Sequence, residues 1–505
     1  MIATVLTLSL AATPTPPGAA VWEELQSRWR PRLEPLLSEA LHFPTVHGDQ
    51  KALAAQRQWL ARLGPELGFV VHDRETMTEI DLPGPDGAPV LGLVVHGDVQ
   101  PVNASQWSMP PFSGGVKDGA IWGRGAADDK GPMIQALLAM AALRTAGLPR
   151  THTVRLLVGT DEEGGGDDLD VYKKAYQLPD VSLVLDSDFP VVVGEKAWAE
   201  WIVIASERTG ATPGPVEVVD LEAGTAVTIV PDRAALKLRW RSGTPDWDRW
   251  LAPVRAARLP PDTSLEISGD GAERLIVVHG RAAHSGTSLA RGRNALVALG
   301  VAVHGRLPAC AAADLLEYAR VAGADPRGGG LGLHLNDPLW GGVDTNFGQV
   351  TRGDDGRLAL HVNLRSPPML WGEALKSRLD AHAKAFAERT GARFETGGKF
   401  GYPPFAVPAD APLVQRLLAA YARGTGRPGK PVVSAGGTYA GRMTNAVAFG
   451  MWFREDGFYP GHASDERIQI RSLERGMHVL AEALGDLATS PKLEHPLEAP
   501  PPSKR

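Results

Sequence analysis

Short apolar runs alternate with helical patterns along the first part of the chain. VLGLVV (90–95), TVRLLVG (153–159) and VSLVLD (181–186) have the continuous hydrophobicity of strands that are buried on both faces. PMIQALLAMAALRTAG (132–147) has the length and composition of a helix, with proline in its first turn. Strands that alternate with helices in this way predict an α/β unit with a mainly parallel sheet over residues 21–195.

The pattern changes between residues 196 and 408. RLALHVNLR (357–365) alternates apolar and polar residues as an amphipathic strand does. GEALKSRLDAHAKAFAERTG (372–391) has the periodicity of a helix. This mixture predicts a smaller α+β domain over residues 196–408.

The first pattern returns in residues 409–489. LVQRLLAAYARGTG (413–426) and RSLERGMHVLAEALGDLA (471–488) predict helices, and AVAFGMWF (446–453) between them predicts one buried strand. We expect this segment to complete the first sheet, so that the α+β domain is inserted into the α/β domain.

Both termini differ in composition from these domains. Residues 1–20 combine a short apolar run with a Pro- and Ala-rich stretch, which is typical of a cleaved secretory leader or of a disordered tail. The positive start of a secretory leader is missing, since the first cation is Arg28. Residues 490–505 are Pro-rich and polar and predict a second disordered tail. We favour a periplasmic or secreted location over a cytoplasmic one.

Composition and charge exclude several classes of partner. The 505 residues are 43% hydrophobic and 22% charged, as in a globular protein with a sizeable core. The net charge of -6 predicts no basic surface for nucleic acid, and no apolar run is long enough for a membrane helix. Cys310 is the single cysteine, which excludes an internal disulfide and any multi-cysteine zinc site. A metal site in this chain would therefore consist of His, Asp and Glu.

The three predicted strands of the first part end in acidic or histidine residues. The endings are His96-Gly97-Asp98, Asp161-Glu162-Glu163 and Asp186-Ser187-Asp188. The carboxyl ends of parallel strands meet at one edge of a sheet, where ligands bind. So many carboxylates in one crevice repel each other unless a cation is present. The sequence therefore predicts a site for a pair of divalent metal ions.

Neighbouring residues in these endings suit different roles. His96 and Asp98 are two positions apart, so their side chains fall on one side of an extended backbone and Asp98 can orient the imidazole. In the Glu162-Glu163 pair, one carboxylate can bind a metal while the other transfers a proton.

A glycine-rich loop, GRGAADDKG (123–131), precedes the predicted helix. Asp128 or Asp129 could bridge two metal ions, whereas Lys130 reads as a solvated charge. Each of these short patterns is common in surface loops when it occurs alone. Their joint occurrence in one chain favours a metal site.

Longer motifs resemble those of a known family. HGDVQPVNASQWSMPPFSGGVKDGAIWGRGAADDKGP (96–132) is similar to the first metal motif of metallopeptidase family M20. DSDFPVVVGEKAW (186–198) and GGTYAGRM (436–443) are similar to its branch of PepV-type and Xaa-His, carnosinase-like dipeptidases. The resemblance extends in order over most of residues 25–485. It implies an α/β, zinc-exopeptidase-like catalytic domain with a mixed, mainly parallel sheet and an inserted α+β, ferredoxin-like lid domain.

The resemblance implies a set of metal ligands. His96 and Asp186 match ligands of one Zn²⁺ ion, Glu163 and His462 match ligands of a second, and Asp128 matches the carboxylate that bridges both. Co²⁺ or Mn²⁺ are possible substitutes. The bond between Asp128 and the next residue is expected to be cis, as in the family.

The resemblance also implies catalytic and substrate-binding residues. Glu162 matches the general base, Asp98 the acid that orients a ligand, and His284 the lid histidine that stabilises the oxyanion. The substrate-binding set consists of Arg365, which would grip the substrate carboxylate, the backbone around Gly436, Gly437 and Thr438, and Asp188 near the metals. The chain departs from the branch at Thr228, where an asparagine with a longer reach is usual.

The function that these matches imply is zinc-dependent hydrolysis of dipeptides with a free N-terminus. The alternatives are a carboxypeptidase or N-acyl amino acid deacylase of the same family, and a binding protein that has lost catalysis. A preference for substrates with a blocked amine would favour the first alternative, and an absence of bound metal the second. The implied partner is a small peptide, and the chain could act as a monomer or a homodimer.

Overall fold

The chain divides into two compact units in the computed structural model, which describes residues 15–210, 214–286, 288–457 and 459–497. The first unit runs to Val192 and resumes in Pro408–Pro431 and from Met443 onward. The second unit consists of Val193–Val407 and Val432–Arg442.

Both units contain helices and strands. In chain order up to residue 195 they are α1 (Pro17–Glu24), α2 (Leu33–Leu41), α3 (Gln50–Leu67), β1 (Val70–Asp73), β2 (Met77–Leu82), β3 (Val90–His96), β4 (Gly115–Lys117), β5 (Ala120–Trp122), α4 (Lys130–Thr145), β6 (Thr153–Gly159), α5 (Asp167–Ala175), β7 (Val181–Val184), β8 (Ser187–Asp188) and β9 (Val192–Glu195). From there to residue 407 they are β10 (Ala197–Ala205), β11 (Val216–Ala223), β12 (Arg233–Trp240), α6 (Trp247–Arg255), β13 (Ser264–Ser268), β14 (Glu273–His279), α7 (Ala295–Ala302), α8 (Ala311–Ala322), β15 (Asp344–Arg352), β16 (Leu358–Ser366), α9 (Glu373–Thr390), β17 (Phe394–Tyr402) and β18 (Phe405–Ala406). The remaining elements are α10 (Pro412–Thr425), β19 (Val432–Ser434), β20 (Ala446–Ala448), β21 (Met451–Trp452), β22 (Arg467–Gln469) and α11 (Ile470–Ala488).

The first unit contains a mixed sheet with a parallel centre. Its strands follow the order β1-β2-β6-β3-β7-β20. β6, β3, β7 and β20 pair in parallel, whereas β1 and β2 add an antiparallel edge. The prediction of an α/β fold with a mainly parallel sheet is confirmed. β3, β6 and β7 read as apolar runs because almost all of their residues are buried.

Helix α4 forms the core of the first unit, in contact with α1, α2, α11 and strands β3 and β6. Its residues from Lys130 to Leu143 are buried, so its sequence is apolar all round. The prediction that Lys130 is a solvated charge is wrong. Its ammonium group donates to the carbonyl oxygens of Ala40 (3.1 Å) and Phe43 (2.6 Å). Ala40 lies in the last turn of α2 and Phe43 just beyond it, and a carbonyl oxygen can accept a second hydrogen bond, so the buried ammonium group finds acceptors here.

The segment 446–453 contains two short strands instead of the one that was predicted. β20 belongs to the sheet, while β21 leaves it and pairs in parallel with β8. Gly450 lies between them with φ +75°, and a Cβ there would lie 2.4 Å from the ring of Phe189. The backbone turns at this point because only glycine fits the conformation and the space.

The N-terminal helix α1 packs closely on the last helix, α11. A Cβ on Gly485 would lie 2.5 Å from the Cα of Gly18, so the two backbones touch. The first fourteen residues of the predicted leader or tail lie outside the described residues, and Pro17–Glu24 is helical. Of the predicted tail 490–505, the structure describes residues to 497.

The second unit is an α+β structure around an eight-stranded antiparallel sheet. The strand order is β13-β14-β12-β11-β15-β16-β10-β17. Along β10, buried and half-buried residues alternate, because one face of the sheet packs against the helices. Its core includes Trp201 from β10, Tyr318 from α8 and Phe347 from β15. Outside this sheet, β9 pairs with β18 and β19, so residues 432–442 belong to this unit.

Across the described ranges, the structure contains no helix that is both long enough and apolar enough to span a membrane.

Candidate active site

Five predicted metal ligands of the first unit lie together in two overlapping groups. His96 is the last residue of β3, and Asp186 follows β7 by two positions. One group is His96, Asp128 and Asp186, and the other is Asp128, Glu163 and His462. Within each group, the potential ligand atoms lie within 4.8 Å of one another. Asp128 belongs to both groups.

The histidine nitrogens lie within direct reach of the carboxylates. The Nε2 atom of His96 is 2.9 Å from Asp128 Oδ1 and 3.7 Å from Asp186 Oδ2. The Nε2 atom of His462 is 3.1 Å from Asp128 Oδ2 and 3.0 Å from Glu163 Oε2. The two oxygens of Asp128 thus face two different imidazoles.

The acids of this cluster perturb one another. Burial lowers the pKa of His96 and His462, but the surrounding carboxylates outweigh it and raise the pKa of both rings well above the usual range. Burial raises the pKa of Asp186, and the charges of Asp128 and Asp129 raise it further. A divalent cation among these groups would stabilise the carboxylates in their ionised form and the imidazoles in their neutral form.

The donor set fits two such cations. Imidazole nitrogens and carboxylate oxygens are ligands of zinc, and each group offers three of them. Three protein ligands and one open position are typical of catalytic zinc sites. The shared Asp128 would then contact both ions, and the bond that joins it to Asp129 is cis.

Asp98 links the His96 ring to the turn that follows β6. Its backbone carbonyl oxygen lies 3.0 Å from His96 Nδ1, and its Oδ1 atom lies 3.4 Å from the same nitrogen. Its carboxylate oxygens also accept hydrogen bonds from the backbone N–H groups of Glu162 (3.2 Å) and Glu163 (3.0 Å). Asp98 therefore contacts a candidate ligand on each side, His96 mainly through its backbone carbonyl and Glu163 through its carboxylate.

Glu162 lies in the same turn, but its carboxyl group belongs to neither group of candidate ligands. Burial raises the pKa of this carboxyl well above its usual range, and although His96 lowers it, the charges of Glu163 and Asp98 raise it further. A carboxyl beside the candidate ligands that is not itself one of them can serve as an acid or a base.

The loop before α4 is held by two buried residues, Arg124 and Glu466, to which the sequence alone gives no role. Glu466 Oε1 accepts hydrogen bonds from the backbone N–H groups of Gly125 (3.1 Å), Ala127 (2.9 Å) and Asp128 (3.2 Å). Its Oε2 atom accepts one from Arg124 Nη1 at 2.7 Å. Burial raises the pKa of Glu466 to about 7, although Arg124 opposes the shift.

A second supporting contact comes from Gln100. Its side-chain N–H donates to Glu163 Oε2 at 3.0 Å, which fixes the carboxylate that also faces His462. Gln100 and Glu466 both lie within family-like motifs, at HGDVQ and GHASDE. Their position in those motifs was the available signal, but their partners lie far away in sequence.

The remaining predicted site residues have their own surroundings. In the first unit, Asp188 accepts a hydrogen bond from Arg454 Nε at 2.8 Å and belongs to neither ligand group. In the second unit, His284 is half-buried and forms an isolated β-bridge with Ile229. The carbonyl oxygen of Thr228 accepts a hydrogen bond from the residue after His284, at 2.9 Å, so the two predicted positions are close.

The predicted substrate loop 436–438 is tied to a buried acid. The backbone N–H of Thr438 donates to Glu195 Oε2 (3.1 Å) and its hydroxyl donates to Glu195 Oε1 (2.6 Å). The N–H of Gly436 donates to Ser434 Oγ at 3.0 Å. Burial raises the pKa of Glu195 to about 7, against the effect of these donors. Of the three predicted amides, Gly437 is the one to which the described residues offer no acceptor.

Arg365 is buried on β16, and its Nη1 atom donates to the hydroxyl of Tyr402. Its Nε atom is buried without a hydrogen-bond partner among the described residues. A Cβ on Gly437 would lie 2.8 Å from the Tyr402 hydroxyl, so Tyr402 touches the glycine backbone. The structure thus brings Arg365 and Gly437 to the same tyrosine, which the sequence analysis did not select.

The whole chain is similar to known proteins in sequence and in fold. The family model described as Peptidase family M20/M25/M40 matches residues 92–486. "Putative dipeptidase YtjP" of Bacillus subtilis is 26% identical over 436 residues, which are 85% of this chain and 89% of that protein. "Putative dipeptidase" of Staphylococcus epidermidis is 26% identical over 479 residues, which are 92% of this chain and 98% of that protein.

The solved structure of human carnosine dipeptidase 1 has the same fold. It superposes with a TM-score of 0.57 at 15% identity and covers 93% of this chain and 98% of its own. Aminoacylhistidine dipeptidase from Vibrio alginolyticus superposes with a TM-score of 0.51 at 15% identity and covers 93% of this chain and 97% of its own.

Proposed function

The chain belongs to peptidase family M20/M25/M40 and is a metallopeptidase, and from that premise we propose that it is a zinc-dependent dipeptidase. The proposed reaction is hydrolysis of the peptide bond of dipeptides with a free N-terminus. The observation that carries the proposal is the pair of histidine–carboxylate groups that share Asp128. The relatives named as dipeptidases support the choice of substrate class.

We assign the ions to the residues as follows. His96 and Asp186 would hold one Zn²⁺ ion, Glu163 and His462 the other, and Asp128 both. Co²⁺ or Mn²⁺ could replace zinc. Bound zinc supplies a Lewis acid and lowers the pKa of water to about 7.

Glu162 is the proposed general base. It takes a proton from the attacking water and returns it to the leaving amine, and its carboxyl is available for this because it belongs to neither group of candidate ligands. Asp98 keeps Glu162 and Glu163 in position through their backbone N–H groups. Its backbone carbonyl also holds the His96 ring through Nδ1, which leaves Nε2 directed at the carboxylates.

The second unit supplies the proposed substrate contacts. His284 donates to the oxyanion that forms at the scissile carbonyl, and Arg365 binds the C-terminal carboxylate of the dipeptide. Thr228 retains a hydroxyl for a hydrogen bond in this region, with a shorter reach than the asparagine of related dipeptidases.

Amine release from a matched panel tests the proposal. The panel contains Ala-His, β-Ala-His, Leu-Ala, a tripeptide and N-acetyl-alanine, each assayed as isolated, after chelation and with zinc restored. We expect zinc-restorable cleavage of the free dipeptides. Preference for N-acetyl-alanine or the tripeptide would instead indicate a deacylase or carboxypeptidase, and a metal-loaded protein without turnover would indicate a binding protein.

Metal content provides a readout that is independent of turnover. His462 belongs to one ligand group, whereas Asp128 belongs to both. After dialysis against zinc, we expect the unsubstituted protein to hold two ions, His462→Ala one and Asp128→Ala none. An Asp128→Ala variant that retains two ions would contradict the assignment.

A further inference from the structure

We propose that Tyr402 is a substrate-binding residue, which forms a subsite for the dipeptide carboxylate together with Arg365 and the amide of Gly437. This inference rests on the proposed function, because it takes the substrate to be a peptide with a free C-terminus. Tyr402 lies outside the sequence motifs that resemble the family. The proposal also assigns the substrate contact of the loop 436–438 to a single backbone amide, that of Gly437.

Strand register places the two side chains on one face of the sheet. In the antiparallel pairs that β10 forms with its neighbours, Trp198 lies opposite Arg365 on β16 and opposite Tyr402 on β17. Residues that face each other across antiparallel strands point to the same side. The Trp198 and Tyr402 rings stack with centroids 6.5 Å apart, and this contact helps to hold the tyrosine ring in place.

The Arg365 guanidinium has no counterion among the described residues. Asp344 lies opposite it on β15, but the Asp344 carboxylate pairs with Lys196 at 2.7 Å and with Arg327. Arg365 is only 5% exposed, and its Nε atom has no hydrogen-bond partner in the described part of the chain. A buried cation without a counterion is unfavourable, so this position calls for an anionic ligand.

Tyr402 joins this cation to the glycine loop. Its hydroxyl accepts a hydrogen bond from Arg365 and lies against Gly437, where any Cβ would be within 2.8 Å of the oxygen. A phenol can accept one hydrogen bond and donate another at the same time. A guanidinium hydrogen-bonded to a phenol, beside a glycine whose N–H has no acceptor among the described residues, offers donors that suit the two oxygens of a carboxylate.

The neighbouring amides serve a different purpose. Thr438 is bound through both its N–H and its hydroxyl by Glu195, and Gly436 is bound by Ser434. These bonds fix the loop on either side of Gly437.

The test compares Tyr402→Phe with the unsubstituted enzyme on two substrates, Leu-Ala and Leu-Ala amide, which lacks the carboxylate. We expect KM for Leu-Ala to rise roughly tenfold or more, as for loss of a hydrogen bond to a charged group. We expect kcat to change less than about twofold, and the KM for the amide to stay unchanged. Tyr318→Phe is the matched control, because its hydroxyl bonds His382 at 3.0 Å in the same unit.

Binding is measured in parallel by calorimetry with zinc-loaded Glu162→Gln protein, with and without Tyr402→Phe. A higher Kd for Leu-Ala in the protein that carries Tyr402→Phe, with an unchanged Kd for Leu-Ala amide, supports the subsite. An unchanged KM and Kd for Leu-Ala, or equal losses for dipeptide and amide, would overturn it. Failure of the proposed function is seen separately, as the absence of dipeptide turnover in the unsubstituted enzyme. If Leu-Ala binds to neither Glu162→Gln nor its Tyr402→Phe derivative, both the subsite and the proposed function are overturned.

Discussion

Replacement of Glu466 by glutamine tests whether one carboxylate organises the loop that carries Asp128. Glutamine has the same shape as glutamate, but it is neutral and places an NH₂ group where one carboxylate oxygen was. If that group faces Arg124, two donors meet and a buried guanidinium loses its counterion. If it faces the loop instead, it meets the N–H groups of Gly125, Ala127 and Asp128. Either orientation leaves buried donors without acceptors.

The size of the effect follows from burial. Arg124 is 3% exposed and Glu466 is 0% exposed, so water cannot replace the lost partner. Removal of one member of a buried ion pair costs about 3–5 kcal/mol. At 1.4 kcal/mol for each factor of ten, 3 kcal/mol corresponds to a roughly 100-fold increase in the opening of the loop.

Hydrogen exchange of metal-free protein measures this opening, in peptides that cover residues 123–131. We expect the amides that donate to Glu466 to exchange roughly 100-fold faster in Glu466→Gln. The matched control is Glu474→Gln, because Glu474 pairs with Arg30 on the surface with its side chain 38% exposed. An exposed pair contributes about 0–1 kcal/mol, so exchange in the loop should not change.

A double substitution separates the ion pair from the loop contacts. Arg124→Met in the Glu466→Gln background removes the unpaired guanidinium, so part of the lost stability should return. If exchange in Glu466→Gln matches that in Glu474→Gln, the loop keeps its shape without the carboxylate and the reasoning is refuted.

Two further predictions concern packing and pH. Gly485→Ala should lower the free energy of unfolding by about 1–3 kcal/mol, because its Cβ would lie 2.5 Å from Gly18 Cα; a raised melting temperature would contradict the close helix contact. Burial raises the pKa of Glu195 from 4.5 to about 7, so the folded protein binds this proton more tightly than the unfolded chain and its contribution to stability falls as pH rises between those values. Relative to Glu195→Gln, the free energy of unfolding of the unsubstituted protein should therefore fall by on the order of 3 kcal/mol between pH 4.5 and 8. The measurement is urea unfolding of both proteins at a series of pH values, and an equal pH dependence of the two would disprove the effect.

The parts of the fold that the sequence predicted are those determined by local pattern. β6 occupies the predicted residues 153–159, because a strand buried on both faces is continuously apolar. Helix α9 occupies 373–390, within one residue of the prediction at each end. The break within 446–453 was missed, because it depends on the ring of Phe189, which is far away in sequence.

The residues of the candidate site could likewise be predicted where a local motif marks them, and not where their role depends on distant segments. His96, Asp128 and His462 could be selected because they lie in motifs that resemble those of a family. Lys130 was misread because its acceptors, the carbonyls of Ala40 and Phe43, leave no trace in its own motif. Tyr402 was missed for a related reason, since its contacts with Arg365 and Gly437 exist only once three separate segments have come together.

The split of the first unit along the chain has a consequence for biosynthesis. Arg124 and Glu466 are separated by 342 positions, and β20 pairs with β7 only after the whole second unit has been made. β7 ends at Val184 and β20 begins at Ala446. At about 5–20 residues per second, a ribosome needs roughly 15–50 s to cover the distance between these two strands. During this time the apolar edge of β7 has no neighbour on one side, which makes the nascent chain prone to aggregation. Slower synthesis or added chaperones should therefore affect the yield of this protein more than its final stability.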